Sequence, residues 1–369
     1  MYKPNVKKLF KQTHKVLGLI FCIFIAIIGI TGALISYSNE LSRLEASFIE
    51  RNKSGEFLSV EETLNRFLEQ KPKAKLLVLS HEGENQPLGI RAGYKQEDTD
   101  PSDVHTLYNG TLGFYSVSRY DGEILPVLSD KMIRAITMLH ISLDFTKNNE
   151  IGNQIVGIST IIIILLSITG LYFYIPMLKQ NFSKNMKLDI KTKGYRFWYK
   201  LHSVMGVYTS IFVLIMCLTG LYGSYEWFRV GLHTLIGYEE PAYVPREEKE
   251  FIPKPNDINE IARTFEIAKE HTSKDNVFLL FIPDKMGEPY GTPYKDKDYI
   301  GFGGDEIIID MDTNIIKHNI HYDDSFEEKV LSSMGHLHFG TFFGEIGKAL
   351  WCVSSLAMGL FGVSGVMMW

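Results

Sequence analysis

The chain has 369 residues, a formal net charge of −5 and three cysteines. Its length suits two or three domains. Charged residues are nevertheless strongly segregated along the chain, because the basic residues cluster beside apolar stretches. Basic residues in that position do not indicate nucleic-acid binding. Neither a Walker loop nor His-Glu-x-x-His is present, and Gly301-Phe302-Gly303-Gly304 lacks the strand–turn–helix context of a dinucleotide site.

Residues 16–39, 151–178, 201–225 and 349–369 contain no Asp, Glu, Lys or Arg. Each stretch has the about 20 residues that a helix needs to cross a bilayer. Backbone groups in the hydrocarbon core must be hydrogen-bonded internally, so each stretch is predicted to be a helix. We therefore predict an α-helical membrane protein: a four-helix transmembrane bundle from an internal duplication, with two small α/β extracytoplasmic domains.

In chain order, we expect a tail (1–14), a first span (15–38), a first exported domain (39–135), an amphipathic approach helix (136–150) and a second span (151–178). We then expect a loop (179–200), a third span (201–225), a second exported domain (226–332), an approach segment (333–345) and a fourth span (346–369).

Basic residues predict the orientation of the spans. Residues 1–15 contain five lysines and no acidic residue, and the loop at 179–200 has seven Lys or Arg against Asp189. Such segments remain cytoplasmic, so the N-terminus and this loop are expected inside and the two long loops outside. Cys22, Cys217 and Cys352 all fall inside spans, so the exported domains are expected to contain no disulfide.

The two halves of the chain repeat each other. His14 and His202 begin the first and third spans, and the glycine of a Thr-Gly pair follows each of them 18 residues later. Leu139-His140 and Leu337-His338 each precede Glu-Ile-Gly at a later span. The exported loops share an order of helix, strand and hairpin, predicted at Val60–Gln70, Lys75–Ser80 and Phe114–Leu125, and at Ile258–His271, Val277–Ile282 and Glu306–His318.

Four histidines occupy the duplicated positions. Two imidazoles at one depth on different helices are what a haem with two axial histidines requires, and helix bundles build cofactor sites this way. We predict that His14 and His202 bind one haem iron near the cytoplasmic side. His140 and His338 are predicted to bind a second haem iron near the outer side.

Other residues bear on this prediction. His336 is an alternative to His338, but the repeat favours His338 because His336 aligns with Met138. The remaining histidines lie in polar contexts and are expected to be solvated. They are His81, His105, His233, His271, His318 and His321; a metal clip at His318 and His321 is a weaker alternative.

Glycines accompany the histidines. Gly18 and Gly206 follow His14 and His202 by one turn, on the same helix face. We predict that they bind the cofactor by leaving flat surface for a macrocycle; close helix packing is the alternative for any single glycine. Because spans alternate in direction, Gly170 and Gly365 are expected near the level of His14 and His202, and Gly32 and Gly220 nearer the outer pair.

These motifs, with Thr-Gly-Leu-Tyr at 169–172 and 219–222, resemble the PepSY-associated transmembrane helix family (PepSY_TM) of bacterial, often iron-regulated, membrane proteins. The resemblance covers nearly the whole chain. It implies a multi-pass protein of the bacterial inner membrane whose exported domains are PepSY-like, with Asp121-Gly122 resembling the turn of such a domain. Siderophore-reductase members carry haem b in the bundle and pass electrons to ferric chelates outside.

Two functions follow from this resemblance. The first is an oxidoreductase of ferric-chelate type, with two haem b groups, an unknown cytoplasmic electron donor and a ferric siderophore as substrate. The donor must be separate, because the chain lacks the flavoprotein module fused to some relatives. The alternative is a non-enzymatic membrane protein whose PepSY-like domains bind or regulate a peptide, protease or iron-transport partner. No catalytic residue is predicted under either function.

Overall fold

The computed structural model describes residues 6–83, 85–98, 112–145, 149–188, 191–238, 254–272, 277–294, 305–319 and 325–369. The chain divides into two compact units. The helical unit comprises residues 1–37, 135–235 and 334–369, and the sheet unit comprises residues 38–134 and 236–333.

The helices and strands run in the following order along the chain. They are α1 (Val6–Ile35), α2 (Ser38–Glu50), α3 (Val60–Gln70), β1 (Lys75–His81), β2 (Leu88–Gly93), β3 (Leu112–Val117), α4 (Leu128–Ser142), α5 (Glu150–Gln180), α6 (Phe182–Met186), α7 (Tyr195–Ser224), α8 (Glu226–Ile236), α9 (Ile258–His271), β4 (Phe278–Phe281), β5 (Tyr290–Tyr294), β6 (Asp305–Asp310), β7 (Ile315–Asn319), α10 (Phe326–Ser332), α11 (Met334–Phe339) and α12 (Gly344–Met367).

Four of the described helices, α1, α5, α7 and α12, are long and apolar enough to cross a membrane. This confirms the prediction of four spans. The helices α1 and α7 begin at Val6 and Tyr195, earlier than the predicted starts at residues 15 and 201. Lys and Arg are good helix formers with side chains that reach polar surroundings, so the basic turns continue the helix.

The four spans form a ring in which α1 contacts α12 and α5, and α7 contacts the same two helices. Buried apolar side chains from every span fill the centre, at Ile25, Ile163, Val213, Cys217 and Met358. The closest approach is between α1 and α12. A Cβ atom at Gly29 would lie 2.6 Å from the Met358 Cβ, and one at Gly362 would lie 2.9 Å from the Cys22 carbonyl oxygen.

The sheet unit contains one antiparallel sheet, with the described strands in the order β3-β2-β1-β4-β5-β6-β7. The two exported segments were predicted to form separate domains, and the structure differs. Strand β1 pairs with β4, with Leu79 opposite Leu280. Unpaired strand edges expose hydrogen-bonding groups, and small sheets bury little apolar area. Pairing β1 with β4 removes one edge from each segment.

Helices α3 and α9 contribute to the core of this sheet. Leu64 and Phe67 of α3 and Ile261 and Phe265 of α9 belong to one cluster of buried residues with the strands. Both helices have the predicted bounds, because each follows a capping side chain: Ser59 accepts from the Glu62 N–H and Asp257 from the Glu260 N–H.

The predicted hairpins have different outcomes. Strands β6 and β7 pair as expected, and Asn314 in their turn has a φ of 54°, a conformation that Asn adopts more readily than most residues. The other hairpin is reduced to an isolated bridge between Val117 and Ile124.

Helix α4 differs from the predicted approach helix at 136–150. It begins at Leu128, where the Glu45 carboxylate accepts from the backbone N–H groups of Leu128 and Ser129 at 2.9 and 2.8 Å. It ends at Ser142, before Leu143, whose φ is 54°. The start is therefore set by a residue that is distant in sequence.

Candidate functional site

The imidazoles of His14 on α1 and His202 on α7 face each other within the helical unit. Their ring centroids are 6.3 Å apart, and the ring planes make an angle of 77°. His14 Nδ1 lies 2.8 Å from the Thr169 hydroxyl on α5. His202 Nδ1 lies 2.8 Å from the Ser364 hydroxyl on α12. All four spans therefore contribute a side chain to this pair.

His140 on α4 and His338 on α11 form a second pair. His140 Nδ1 lies 3.0 Å from the Thr31 hydroxyl, and His338 Nδ1 lies 3.0 Å from the Thr219 hydroxyl. Burial, and to a lesser degree the nearby His338, lowers the pKa of His140 to about 4, and burial also lowers the pKa of His338. Both imidazoles are therefore neutral at physiological pH and lie within electrostatic range of each other.

The hydroxyl groups define the tautomer of the histidines. Each hydroxyl donates its one hydrogen to the carbonyl four residues earlier in its own helix, at 2.6 to 2.7 Å. A hydroxyl carries a single hydrogen, so it accepts from the imidazole. Nδ1 therefore carries the hydrogen in each histidine. The accepting carbonyls belong to Ile27, Leu165, Ile215 and Leu360.

The Nε2 atoms are left with a lone pair. Within the described part of the chain, the hydrogen bonds of His14, His202 and His338 all involve Nδ1, and none reaches Nε2. A neutral imidazole with its other nitrogen held by an acceptor is the usual form of a metal-ligating histidine. His14 and His202 thus have the tautomer that a metal-ligating histidine needs, with Nε2 available.

Three glycines lie against the imidazoles of the site. A Cβ atom at Gly170 would lie 3.4 Å from His14 Cε1. Cβ atoms at Gly32 and Gly220 would lie 3.1 and 3.3 Å from the Cε1 atoms of His140 and His338. The predicted levels of these glycines are confirmed. Their role in the structure is to let an imidazole approach the neighbouring helix.

The predicted cofactor-binding glycines have open surroundings. A Cβ atom at Gly206 would meet nothing within 4 Å, and one at Gly18 only Leu166 Cδ2 at 3.9 Å. Gly365, next to Ser364, also has nothing within 4 Å. Space beside the histidines is what a flat macrocycle would need.

The spacing of His14 and His202 fits a shared metal ion. An imidazole nitrogen binds a metal at about 2 Å, and the ring centre lies about 1 Å behind it, so two ligands place their centroids roughly 6 Å apart. The observed 6.3 Å agrees. The described residues contain no cluster of three or more His, Cys, Asp or Glu suited to a metal ion. Two imidazoles are the axial donors that a bis-histidine haem uses, so the donor set of this pair fits that group.

The structure distinguishes His338 from His336. His336 Nδ1 lies 3.0 Å from the Thr341 hydroxyl, within its own segment, whereas His338 reaches Thr219 on α7. Trp351, which is fully buried, donates from Nε1 to the carbonyl of Leu337 at 2.7 Å. This bond holds the backbone beside His338.

Two of the histidines expected to be solvated are buried. His81 packs against Phe265 and Phe278 in the sheet unit, and His233 on α8 is hydrogen-bonded to the Tyr222 hydroxyl at 3.2 Å. Both lie in contexts that were classed as polar, but each packs against aromatic rings. His271 is exposed as expected. His105, His321 and the side chain of His318 lie outside the described part of the chain, and so does the alternative metal clip at His318 and His321.

The hydroxyl residues of the site were not among the predicted site residues. Each lies directly before a glycine, at Thr31-Gly32, Thr169-Gly170, Thr219-Gly220 and Ser364-Gly365. The hydroxyl–glycine pair occurs once in each span, and that repetition was the available signal. Only the glycines and the Thr-Gly spacing were interpreted.

The family model of the PepSY-associated TM region matches residues 11–369. The chain belongs to this family. A comparison with curated proteins found no match. The matched range of this PepSY-associated TM protein includes all four histidines of the two pairs.

Proposed function

We propose that this PepSY-associated TM protein transfers electrons across the bacterial inner membrane and reduces a ferric chelate, such as a ferric siderophore, outside it. One haem b would be held by His14 and His202, and a second by His140 and His338. Bound haem supplies a centre that gains and loses one electron. The observation that carries the proposal is the pair of facing imidazoles, each with Nδ1 bonded to a hydroxyl and Nε2 left as a lone pair.

The two pairs are far enough apart to serve opposite sides of a membrane. On α1, His14 belongs to one pair, and Thr31, 17 positions later, contacts the other pair. On α7, His202 and Thr219 have the same spacing. A helix rises 1.5 Å per residue, so the pairs are separated by about 26 Å along the helix axis. The hydrocarbon core of a bilayer is about 30 Å thick.

The proposed reaction needs a reductant. A cytoplasmic one-electron donor would be oxidised, and each electron would reduce one Fe³⁺ of the external chelate to Fe²⁺. The four imidazoles would hold the two haems, and the buried side chains of Ile25, Ile163 and Val213 would exclude water between the pairs.

We predict that purified protein binds two haems per chain. Reduction should produce the sharp visible bands of haem with two axial histidines, and a pyridine haemochrome assay should give two haems of b type. Haem-free protein, with a featureless visible spectrum even after expression with added haem, would contradict the proposal. That result would favour the alternative in which PepSY-like domains bind or regulate a partner.

We predict a cytoplasmic location for the loop between α5 and α7, because of its lysines. A reporter fused at Asn185 should report the cytoplasm, and reporters fused at Gly83 or Lys285 should report export. A cytoplasmic readout at Gly83 would overturn the proposed direction of electron flow. Paired reporters, one active only in the cytoplasm and one only outside it, provide the control at each position.

A further inference from the structure

The hydroxyl groups beside the histidines differ in importance between the two pairs. Resting on the proposed function, we propose that Thr169 and Ser364 are positioning residues on which haem binding by His14 and His202 depends. Thr31 and Thr219 support the other pair in the same way, but a second acceptor shares that role. The difference follows from the hydrogen bonds of the four imidazoles.

The pair of His14 and His202 relies on hydroxyls alone. Within the described residues, the only hydrogen-bond partner of His14 is Thr169, and that of His202 is Ser364. Each hydroxyl donates to its own helix, at Leu165 and Leu360, and so accepts from Nδ1. Without that acceptor, nothing would distinguish the two nitrogens of the ring, and Nε2 would lose its fixed direction.

The second pair has backbone acceptors as well. His338 Nδ1 lies 3.1 Å from the Met216 carbonyl oxygen, in addition to the Thr219 hydroxyl. The imidazole of His140 is also hydrogen-bonded to the Ile28 carbonyl. A carbonyl can only accept, so the Met216 carbonyl holds the hydrogen on Nδ1 of His338 even when the Thr219 hydroxyl is removed. Loss of Thr219 should therefore be tolerated.

An acceptor on Nδ1 also affects the bound iron. It makes the imidazole a more basic ligand, and such outer partners typically contribute 10- to 100-fold to metal affinity. A more basic ligand stabilises the ferric state, so loss of the acceptor should raise the midpoint potential of the haem. The midpoint potential responds to ligand basicity and to solvent exposure, so variants that change only packing are needed as controls.

The test uses the full-length chain with one haem site at a time. In a His140→Ala background, Thr169→Val and Ser364→Ala should each weaken binding of titrated haem by about 10- to 100-fold and raise its midpoint potential. Thr169→Ser should restore both values. In a His14→Ala background, Thr219→Val should leave affinity within a few-fold and shift the potential less.

Matched controls remove hydroxyls that contact only their own helix. Thr160 donates to the Val156 carbonyl at 2.9 Å, and Ser159 to the Ile155 carbonyl at 2.7 Å. Thr160→Val and Ser159→Ala should leave affinity and potential unchanged. If Thr169→Val does not fold, the haem midpoint potential of Thr169→Ala should be higher than that of Thr169→Ser. Equal potentials would contradict the positioning role.

The outcomes separate this inference from the proposed function. If wild-type protein binds two haems, but Thr169→Val and Ser364→Ala match their controls in affinity and potential, the positioning role is wrong and the proposed function stands. An equal effect of Thr219→Val would overturn the difference between the pairs. If wild-type protein binds no haem, the proposed function fails, and this inference fails with it.

Discussion

Replacing His202 with alanine is expected to remove one of two haems, the same one that His14→Ala removes. The ring centroids of this pair are 6.3 Å apart, the separation expected of two imidazoles that share one metal ion. A haem with two axial histidines loses its low-spin signature when either ligand is removed. The haem content per chain and the ferric electron-spin resonance spectrum should therefore change alike in the two variants.

The variants His140→Ala and His338→Ala should remove the other haem. His336→Ala is the matched control, since His336 contacts Thr341 within its own segment and lies two residues from His338. His271→Ala, at an exposed position, is a second control. If the variants at His14, His202, His140 and His338 all retained two haems with unchanged spectra, these four histidines would be excluded as ligands. If His336→Ala lost a haem and His338→Ala did not, the ligand would be His336 and not His338.

Local signals predicted the elements that depend on neighbouring residues. The spans follow from uninterrupted apolar sequence, and α3 and α9 follow from caps at Ser59 and Asp257. The start of α4 was not predicted, because its capping group is Glu45, more than 80 positions earlier. The pairing of β1 with β4 joins residues about 200 positions apart, and neither strand carries a signal for the other.

The candidate site was predicted in part because of the repeat. Equal spacing in the two halves selected four histidines, and the structure brings His14 against His202. The hydroxyl partners were missed because Thr and Ser within spans usually bond only to their own helix. Their second contact depends on how neighbouring helices are rotated, which the spacing within one helix does not determine. His81 was misjudged for a similar reason, because it packs against Phe265 and Phe278, more than 180 positions later. His233 contacts Tyr222, only 11 positions earlier on the preceding helix, a contact that was not predicted from its polar context.

Vesicles that enclose a membrane-impermeant reductant are expected to reduce a ferric siderophore outside only when both histidine pairs are intact. The two pairs are separated by about 26 Å along α1 and α7, so neither pair alone can reach both sides of the bilayer. His14→Ala and His202→Ala should reduce external iron no faster than vesicles without protein. An impermeant ferrous chelator outside measures the rate, and protease accessibility measures the fraction of protein in each orientation.

Variants of the other pair distinguish a serial path from two independent sites. In His140→Ala and His338→Ala, the remaining haem should still be reduced from inside, as its visible bands show, while external iron stays ferric. Thr160→Val, which leaves both pairs intact, should reduce external iron at the wild-type rate. If His338→Ala reduced external iron as fast as wild type, electrons would not pass through the second pair. The two imidazole pairs would then have to be explained without transfer between them, and a binding role for the sheet unit would become the better account of the protein.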